Sequence, residues 1–328
     1  MANMAEYHYD DGAVYGFPTK YENSRWILIN EDMFKEAGLD IPYDGWTYSE
    51  FLTDAEKLTH GEGQDKVYGV CWARKQSGKS ILYALDGVLG ANQIYKNEEG
   101  TEVNFDNDVY RAGLNLVKET LDKGYAIPIE DEFSEDISVA NTFLQGKCAI
   151  MLGVAQMRLC MDQENYPHDF MTALVPAPVP DDEKYNTEFY RKQIGTTGAG
   201  DLLSISANTK YPEASFEFAM WYLKGGMSPL VQGGRIPLWN GVNKDEVLSV
   251  LKEKAQGSID MDSMENYLSL DTTQGVAAIK GHASSEISSA WFEEFDAMCY
   301  GKQSVDQTVQ NMEKRGNELI QTELSSQK

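Results

Sequence analysis

The stretch that decides the fold lies at residues 15–40 and reads YGFPTKYENSRWILINEDMFKEAGLD. In it, the polar cluster Lys20-Tyr21-Glu22-Asn23 is followed almost at once by the apolar run WILI at 26–29. An uninterrupted apolar run of this length is typical of a strand that is buried on both faces. A short helical segment comes next and ends at Gly38. The chain is therefore predicted to pass from an exposed crossing directly into a core.

Similar short apolar runs recur along the chain, at 68–72, 149–152, 171–175 and 202–205. Between them lie segments with clear helix signals. Thr47 and Glu50 have the spacing of a capping box, an Asp or Asn at 106–107 can cap the segment that stops at Gly124, and Pro212 suits a first helical turn. Apolar runs that alternate with capped helices predict an α/β fold with parallel-type strands covered on both faces.

Composition excludes several classes of partner. The 328 residues contain 28 Lys and Arg against 52 Asp and Glu, which gives a formal net charge of −24. Binding to nucleic acid or to an anionic membrane surface needs a cationic footprint, so we expect neither partner. The hydrophobic fraction of 42% is enough for ordinary cores. The opening residues MANMAEYHYDDG have neither the basic nor the apolar region of an export signal.

Signals for metals, cofactors and catalysis are weak. Cys71, Cys148, Cys160 and Cys299 form no CxxC pair, so we predict buried free thiols, and the four histidines have no metal-site spacing. The chain has no GxSxG, HExxH or GxxxxGK[ST] motif. We therefore predict no cofactor and no metal site. Neighbouring carboxylates are abundant, and a fold could bring two of them together, so a glycoside-active enzyme stays an alternative.

Aromatic and planar polar residues at strand ends and turns are the remaining candidates for a site. Sugars bind aromatic faces through their C–H surfaces and planar polar groups through their hydroxyls. A carbohydrate cleft is therefore one interpretation of the set Glu22, Asn23, Trp72, Arg74, Arg235, Trp239 and Trp291. Each tryptophan taken alone is more typical of a hydrophobic core, because large aromatic residues usually complete one.

The order of several segments resembles that of the extracellular solute-binding proteins of ABC importers, in particular the sugar-binding group that includes maltose-binding protein. The resemblance rests on DGAVYGFPTKYENSRWILINEDMFKEAGLD, DGWTYSEFLTDAEKLT, FLQGKCAIMLG, ALVPAPVP and GAGDLLSISANTKYPEASFEFAMWYL, in this order. It implies a two-lobed periplasmic-binding-protein-like α/β fold of type II, with the ligand held between the lobes and no catalysis.

Position by position, the resemblance also implies binding residues. Tyr21, Glu22 and Asn23 fall at the first hinge, Trp72 and Arg74 at a cleft-facing strand end, and Gly200 and Asp201 in the glycine-bearing approach to the cleft. Gln156 lies just after AIMLG, where many members of the family carry an aromatic residue that stacks on the sugar. This departure weakens the case for a long glucan ligand.

A second departure concerns the N-terminal side of the first segment, where fourteen residues precede Tyr15 and the family has a much longer stretch. The resemblance then implies a chain lacking its N-terminal part, with an incomplete first lobe at 1–20 and 203–249. The C-terminal lobe is predicted at 21–202 and 250–328. We expect such a chain to bind sugar weakly or not at all.

The resemblance implies a function in transport. We expect the substrate-binding component of an ABC importer, which binds a mono- or oligosaccharide by hinge closure and delivers it to membrane permease subunits. We expect an extracellular or cell-surface monomer, either lipid-anchored or periplasmic. A secreted acidic glycoside-active enzyme and a binding protein for a non-sugar solute, such as a peptide or polyamine, stay open as alternatives.

Overall fold

The computed structural model describes residues 14–21, 25–74, 89, 94–134, 139–192, 199–226, 228–239, 241–269 and 281–326. Its strands are β1 (Phe17–Tyr21), β2 (Trp26–Asn30), β3 (Tyr68–Cys71), β4 (Cys148–Leu152), β5 (Thr172–Pro176), β6 (Ala199–Leu203) and β7 (Ile236–Pro237). Its helices are α1 (Glu31–Glu36), α2 (Tyr48–Leu58), α3 (Asp108–Asp122), α4 (Ile129–Ser134), α5 (Val139–Leu144), α6 (Met157–Cys160), α7 (Glu188–Arg191), α8 (Pro212–Trp221), α9 (Lys244–Ala255), α10 (Met261–Leu268), α11 (Ser284–Cys299) and α12 (Val305–Ser326). The α/β class predicted from the sequence is confirmed.

Strand β2 is the centre of the larger sheet, and each of its residues is at most 2% exposed. Successive side chains point to opposite faces of a strand. Ile27 and Ile29 accordingly belong to one hydrophobic cluster, and Trp26 and Leu28 belong to a second. Full burial of such side chains contributes about 1.5–3 kcal/mol each. The predicted strand buried on both faces is therefore confirmed.

The larger sheet, as far as the described residues show, has the strand order β3-β4-β2-β5. Strands β3 and β4 are parallel, whereas β2 runs antiparallel to both β4 and β5. The prediction of parallel-type strands is therefore wrong for two of these three pairs. An apolar run indicates that both faces of a strand are buried. An interior antiparallel strand can be buried in the same way, so the run does not indicate the direction of pairing.

The predicted helix caps are confirmed where the structure describes them. At the start of α2 the Thr47 amide donates to Glu50 Oε2 at 2.7 Å, and the Glu50 amide donates to Thr47 Oγ1 at 3.4 Å. Asn107 caps α3 by accepting from the Tyr110 amide at 3.0 Å. Pro212 opens α8, as its fixed φ predicts. These local signals therefore place the starts of α2, α3 and α8 correctly.

The smaller sheet has the order β6-β1-β7, with β1 antiparallel to both neighbours. Strand β6 begins at Ala199, three residues before the apolar run that predicted it at 202. The glycine-bearing residues before that run belong to the strand because their backbone pairs with β1. Backbone pairing does not depend on apolar side chains, so the apolar run could not predict this part of the strand. Helix α8 follows this sheet and buries Ala219, while Phe216, Phe218 and Trp221 are exposed.

The predicted domain limits at 20/21, 202/203 and 249/250 stay a prediction. Strand pairing favours limits nearer to the ends of the smaller sheet, because β6 starts at Ala199 and β7 ends at Pro237. Helix α9, from Lys244, already packs into the cluster that contains Trp26 and Leu28 of the larger sheet.

Two of the four cysteines are bonded to each other, which corrects the prediction of four free thiols. Cys71 and Cys148 form a disulfide between the adjacent strands β3 and β4, 77 residues apart in sequence. Cys160 and Cys299 are free. The bond joins two strands that are distant in sequence, and no spacing rule in the sequence encodes it.

We expect the protein denatured without reductant to expose two titratable thiols per chain, and four after reduction. Denaturant is needed because burial raises the pKa of the Cys160 thiol to about 12, which leaves little reactive thiolate in the folded protein. Loss of the disulfide in the variant Cys71→Ala/Cys148→Ala is expected to cost about 4 kcal/mol of stability. Four thiols in the unreduced denatured protein would contradict the assignment.

Burial also raises the pKa of Asp54 in α2 from its usual 3.8 to about 6, and Glu50 and Asp40 add to the shift while Lys57 opposes it. The folded state binds this proton more tightly than the unfolded state does, so ionised Asp54 destabilises the fold above pH 6 and not below pH 4. We expect Asp54→Asn to raise the melting temperature at pH 7.5, with a gain that shrinks towards pH 4.5.

A matched control for this measurement is Glu265→Gln, which removes one carboxylate from an exposed position on α10. We expect no comparable rise in its melting temperature. An equal gain at pH 4.5 and pH 7.5 for Asp54→Asn would show that the effect does not come from the titration of this carboxyl.

Candidate functional site

A cavity of ≈ 400 Å³ lies between elements of the two sheets. Its polar lining comes from the end of β1, from β6, from the start of β7 and from the turn that follows β4. The residues concerned are Lys20, Tyr21, Gln156, Arg158, Asp201 and Arg235. The volume falls within the range of small-molecule sites, about 300–1,000 Å³. The cavity is therefore the candidate ligand site.

One carboxylate organises the wall formed by the smaller sheet. Strand β1 pairs Lys20 with Gly200, and β7 lies on the other side of β1. In this arrangement Asp201 Oδ2 is 3.6 Å from Lys20 Nζ and also accepts a hydrogen bond from Arg235 Nη1. Asp201 thereby holds one cation from the adjacent strand β1 and one from the residue that directly precedes β7.

The backbone at Asp201 is in the left-handed region, with φ +54°. This conformation costs a non-glycine residue roughly 1–2 kcal/mol, although Asp tolerates it better than most. Thr19 Oγ1 donates to the Asp201 carbonyl oxygen at 2.7 Å and supports the distorted backbone from β1. A strained residue that also bridges two cations marks a candidate functional position.

The wall formed by the larger sheet begins where β4 ends. Gly153 has φ +114°, a conformation open to glycine, and it turns the chain into a 3₁₀ turn at Val154–Gln156 and then into α6. Val154 and Met157 are buried and anchor this turn. Gln156 and Arg158 lie beside them and line the cavity.

Tyr21 closes the cavity next to α10. Its hydroxyl donates to the Tyr267 carbonyl oxygen at 3.1 Å, and the two rings meet edge to face at 5.2 Å. Tyr267 in turn meets the Trp26 ring at 5.4 Å. Through these contacts Tyr267 connects the end of β1 with the start of β2, and they hold Tyr21 in position at this side of the cavity.

Four residues predicted from the sequence meet at the cavity, namely Tyr21, Gln156, Asp201 and Arg235. Gly200 lies beside Asp201 in β6, opposite Lys20. The predictions for Glu22 and Asn23 concern residues outside the described ranges. None of these placements tests binding, so the site roles stay predictions.

Trp72 and Trp291 are placed in the core instead of at a cleft surface. They are 1% and 2% exposed, and both belong to the cluster that contains Ile27 and Ile29. Trp72 Nε1 donates to Thr120 Oγ1 at 2.8 Å, and the Trp291 ring stacks on Phe295 at 4.9 Å. Their faces are covered by protein, so in this conformation neither can act as a stacking platform for a ligand.

Arg74 and Trp239 also lie apart from the cavity lining. The Arg74 guanidinium donates to Asp296 at 2.7 and 2.9 Å and lies 4.2 Å above the Phe292 ring. Its planar donors are therefore engaged within the protein. Trp239 is 43% exposed, and its ring lies over Gly241, two residues further along the chain.

Sequence reasoning missed Lys20, Arg158 and Tyr267 as lining residues. Lys20 belongs to the polar cluster of the opening stretch, and Arg158 follows Gln156 by two residues. Proximity in sequence was the available signal for both. Tyr267 has no such signal, because α10 reaches the cavity by packing on β5.

Among the described residues, no helix combines the length and the apolarity needed to cross a bilayer.

Solved structures similar to this one share its fold at low sequence identity. A sugar transporter protein of Rhizobium etli in an open conformation has a TM-score of 0.70 at 18% identity, over 96% of this chain and 74% of its own. An ABC substrate-binding protein of Listeria monocytogenes in complex with cycloalternan has a TM-score of 0.71 at 17% identity, over 97% of this chain and 74% of its own. The sugar-binding protein MalE of Xanthomonas citri has a TM-score of 0.61 at 17% identity, over 98% of this chain and 76% of its own.

At these identities the likeness shows the fold, and the predicted periplasmic-binding-protein-like fold class is confirmed. The model of one protein family, described as the bacterial extracellular solute-binding proteins, matches residues 2–224. This match spans more than half of the 328 residues and includes Lys20, Tyr21, Gln156, Arg158 and Asp201 of the cavity. The chain is a member of the bacterial extracellular solute-binding protein family.

Proposed function

We propose that this chain is the substrate-binding component of an ABC importer and that it binds a carbohydrate in the cavity between its two sheets. The observation that carries the proposal is the origin of the cavity walls. Lys20, Tyr21, Asp201 and Arg235 come from the smaller sheet, and Gln156 follows a strand of the larger one. A ligand there contacts both parts of the fold at once.

The chemistry of the lining suits a saccharide. The amide of Gln156, the carboxylate of Asp201 and the guanidinium of Arg235 offer donors and acceptors to hydroxyl groups in pairs. A cavity of ≈ 400 Å³ is compatible with one or two sugar rings. Two of the similar structures are named as sugar proteins, and a third holds cycloalternan, which supports the same ligand class.

Hinge closure is the proposed mechanism. The chain passes from β1 to β2 between Tyr21 and Trp26, and from β5 to β6 between Pro176 and Ala199. A ligand that binds both walls has a higher affinity for the closed arrangement and so shifts the population towards it. In an importer, membrane permease subunits would recognise the closed form and accept the sugar.

The remaining assignments follow from the family and from charge. We propose an extracellular location, at the cell surface through a lipid anchor or in the periplasm, because the family is described as extracellular. We propose a monomer without catalytic activity. A nucleic-acid partner is disfavoured by the net charge of −24.

The cavity favours this proposal over the alternatives drawn from the sequence. Glycoside hydrolysis needs two carboxylates about 5–9.5 Å apart across the ligand. Within the described lining Asp201 is the one carboxylate, and two ion pairs hold it. A polyamine would meet the cations Lys20, Arg158 and Arg235 and be repelled.

We expect Gln156→Ala to weaken binding of any saccharide found to bind the chain by about tenfold, because it removes polar contacts to hydroxyls. Isothermal titration calorimetry of the parent and the variant with the same sugar gives the ratio of their dissociation constants. This ratio is informative even where both affinities are low. Gln145→Ala is the matched control, since Gln145 is exposed and remote from the cavity lining. Equal affinity of the parent and Gln156→Ala would contradict the site.

We also expect a saturating concentration of that saccharide to reduce the radius of gyration measured by small-angle X-ray scattering, because the closed form is more compact. The Gln156→Ala variant should need about ten times more sugar for the same change. A radius of gyration that stays constant at saturation would contradict hinge closure and leave binding itself standing.

A further inference from the structure

The charged side chains that line the cavity are mostly cationic, whereas the chain as a whole is strongly anionic. Overall the protein carries −24, yet the described lining holds the cations Lys20, Arg158 and Arg235 against the single carboxylate of Asp201. Among the described residues, the lining therefore holds more cationic side chains than carboxylates. We propose that the carbohydrate ligand of this site is an anionic saccharide, one that carries a carboxylate, phosphate or sulfate group. This inference rests on the proposed function.

The carboxylate of Asp201 is engaged in the cavity wall. It lies 3.6 Å from Lys20 Nζ and is hydrogen-bonded to Arg235. Asp201 and Arg235 are each 48% exposed at the side chain. The pairing fixes these groups in position, so the charge preference of the site depends on the remaining cation of the described lining, Arg158.

Arg158 is the cation of the described lining that is available to a ligand. Its side chain is exposed, and within the described residues it makes no hydrogen bond or ion pair. An arginine that lines a cavity without a partner has all of its guanidinium donors available to a ligand. Guanidinium forks match carboxylate and phosphate oxygens in bidentate geometry, whereas neutral hydroxyls use them less fully.

The position of Arg158 is held by its neighbour Gly234. A Cβ at Gly234 would lie 2.9 Å from Arg158 Cβ and 2.8 Å from Met161 Cε, so the absence of a side chain there lets the two segments pack. Gly234 also has φ +75° and directly precedes Arg235. This contact places the stem of Arg158, at the start of α6, against the segment that carries Arg235.

The resulting arrangement presents cations from both walls. Arg158 follows a strand of the larger sheet, while Lys20 and Arg235 belong to the smaller sheet and its entry. An anionic group between them would contact both parts of the fold and would strengthen the preference for a closed form. A neutral sugar of the same shape would leave the Arg158 guanidinium without an anionic partner.

The test compares matched pairs of ligands on the full chain by isothermal titration in 20 mM and 500 mM NaCl. The pairs are glucuronate with glucose, galacturonate with galactose, and glucose 6-phosphate and glucose 6-sulfate with glucose. Acetate and inorganic phosphate serve as anions without a sugar. We expect at least one acidic member to bind about tenfold more tightly than its neutral partner at low salt. High salt should reduce this ratio.

The outcomes separate this inference from the proposed function. Neutral sugars that bind as tightly as every acidic partner would overturn the anionic preference and leave carbohydrate binding intact. Acetate or phosphate binding as tightly as the acidic sugars would overturn the saccharide part of the inference. A chain that binds none of the sugars, acidic or neutral, would overturn the proposed function together with the inference.

The variant Arg158→Gln tests the residue that carries most of the argument. We expect the ratio of acidic to neutral affinity to fall about tenfold in this variant. Lys210→Gln is the control, because it removes the same charge from an exposed position outside the described cavity lining. An affinity ratio that is unchanged in Arg158→Gln, or that falls equally in Lys210→Gln, would overturn the role of Arg158.

Discussion

The burial of strand β2 on both faces is the constraint on which the rest of the structure depends. Ile27 and Ile29 enter one hydrophobic cluster and Trp26 and Leu28 the other. A shift of its pairing by one residue would exchange every side chain between the two clusters, so the register with β4 and β5 is strongly specified. The strand therefore fixes the point, at Trp26, where the connection from β1 must end.

The candidate site follows from that fixed point. Strand β1 ends at Tyr21, whose ring meets Tyr267 beside Trp26, and it brings Lys20 and Tyr21 to the cavity. Pairing of β1 with β6 and β7 then brings Asp201 of β6 and Arg235, which directly precedes β7, to the same wall. The Asp201 carboxylate holds Lys20 and Arg235 together, at the cost of a left-handed backbone. The described part of the polar cluster, Lys20 and Tyr21, thus lines the cavity.

The parts of this arrangement that sequence could predict are those encoded locally. The capping box of Thr47, the buried run at 26–29 and the polar residues at strand ends depend on neighbours within a few positions. Strand direction and the Cys71–Cys148 bond depend on pairings between distant segments, and the sequence predicted neither. The position of Trp72 in the core shows a related limit, because a large aromatic residue at a strand end suits a core as well as a cleft.

The local charge of the cavity has consequences beyond ligand contact. A chain of net charge −24 repels anions at long range, but at physiological ionic strength this repulsion decays over about 8 Å. Inside the cavity the nearest charges are the three cations Lys20, Arg158 and Arg235 and the one carboxylate of Asp201, and they act at shorter distances than the screened field of the surface. An anionic ligand would therefore meet little opposition in solution and a favourable potential on entry. Closure around it would exclude water from the ion pairs and strengthen them, so binding and closure would reinforce each other.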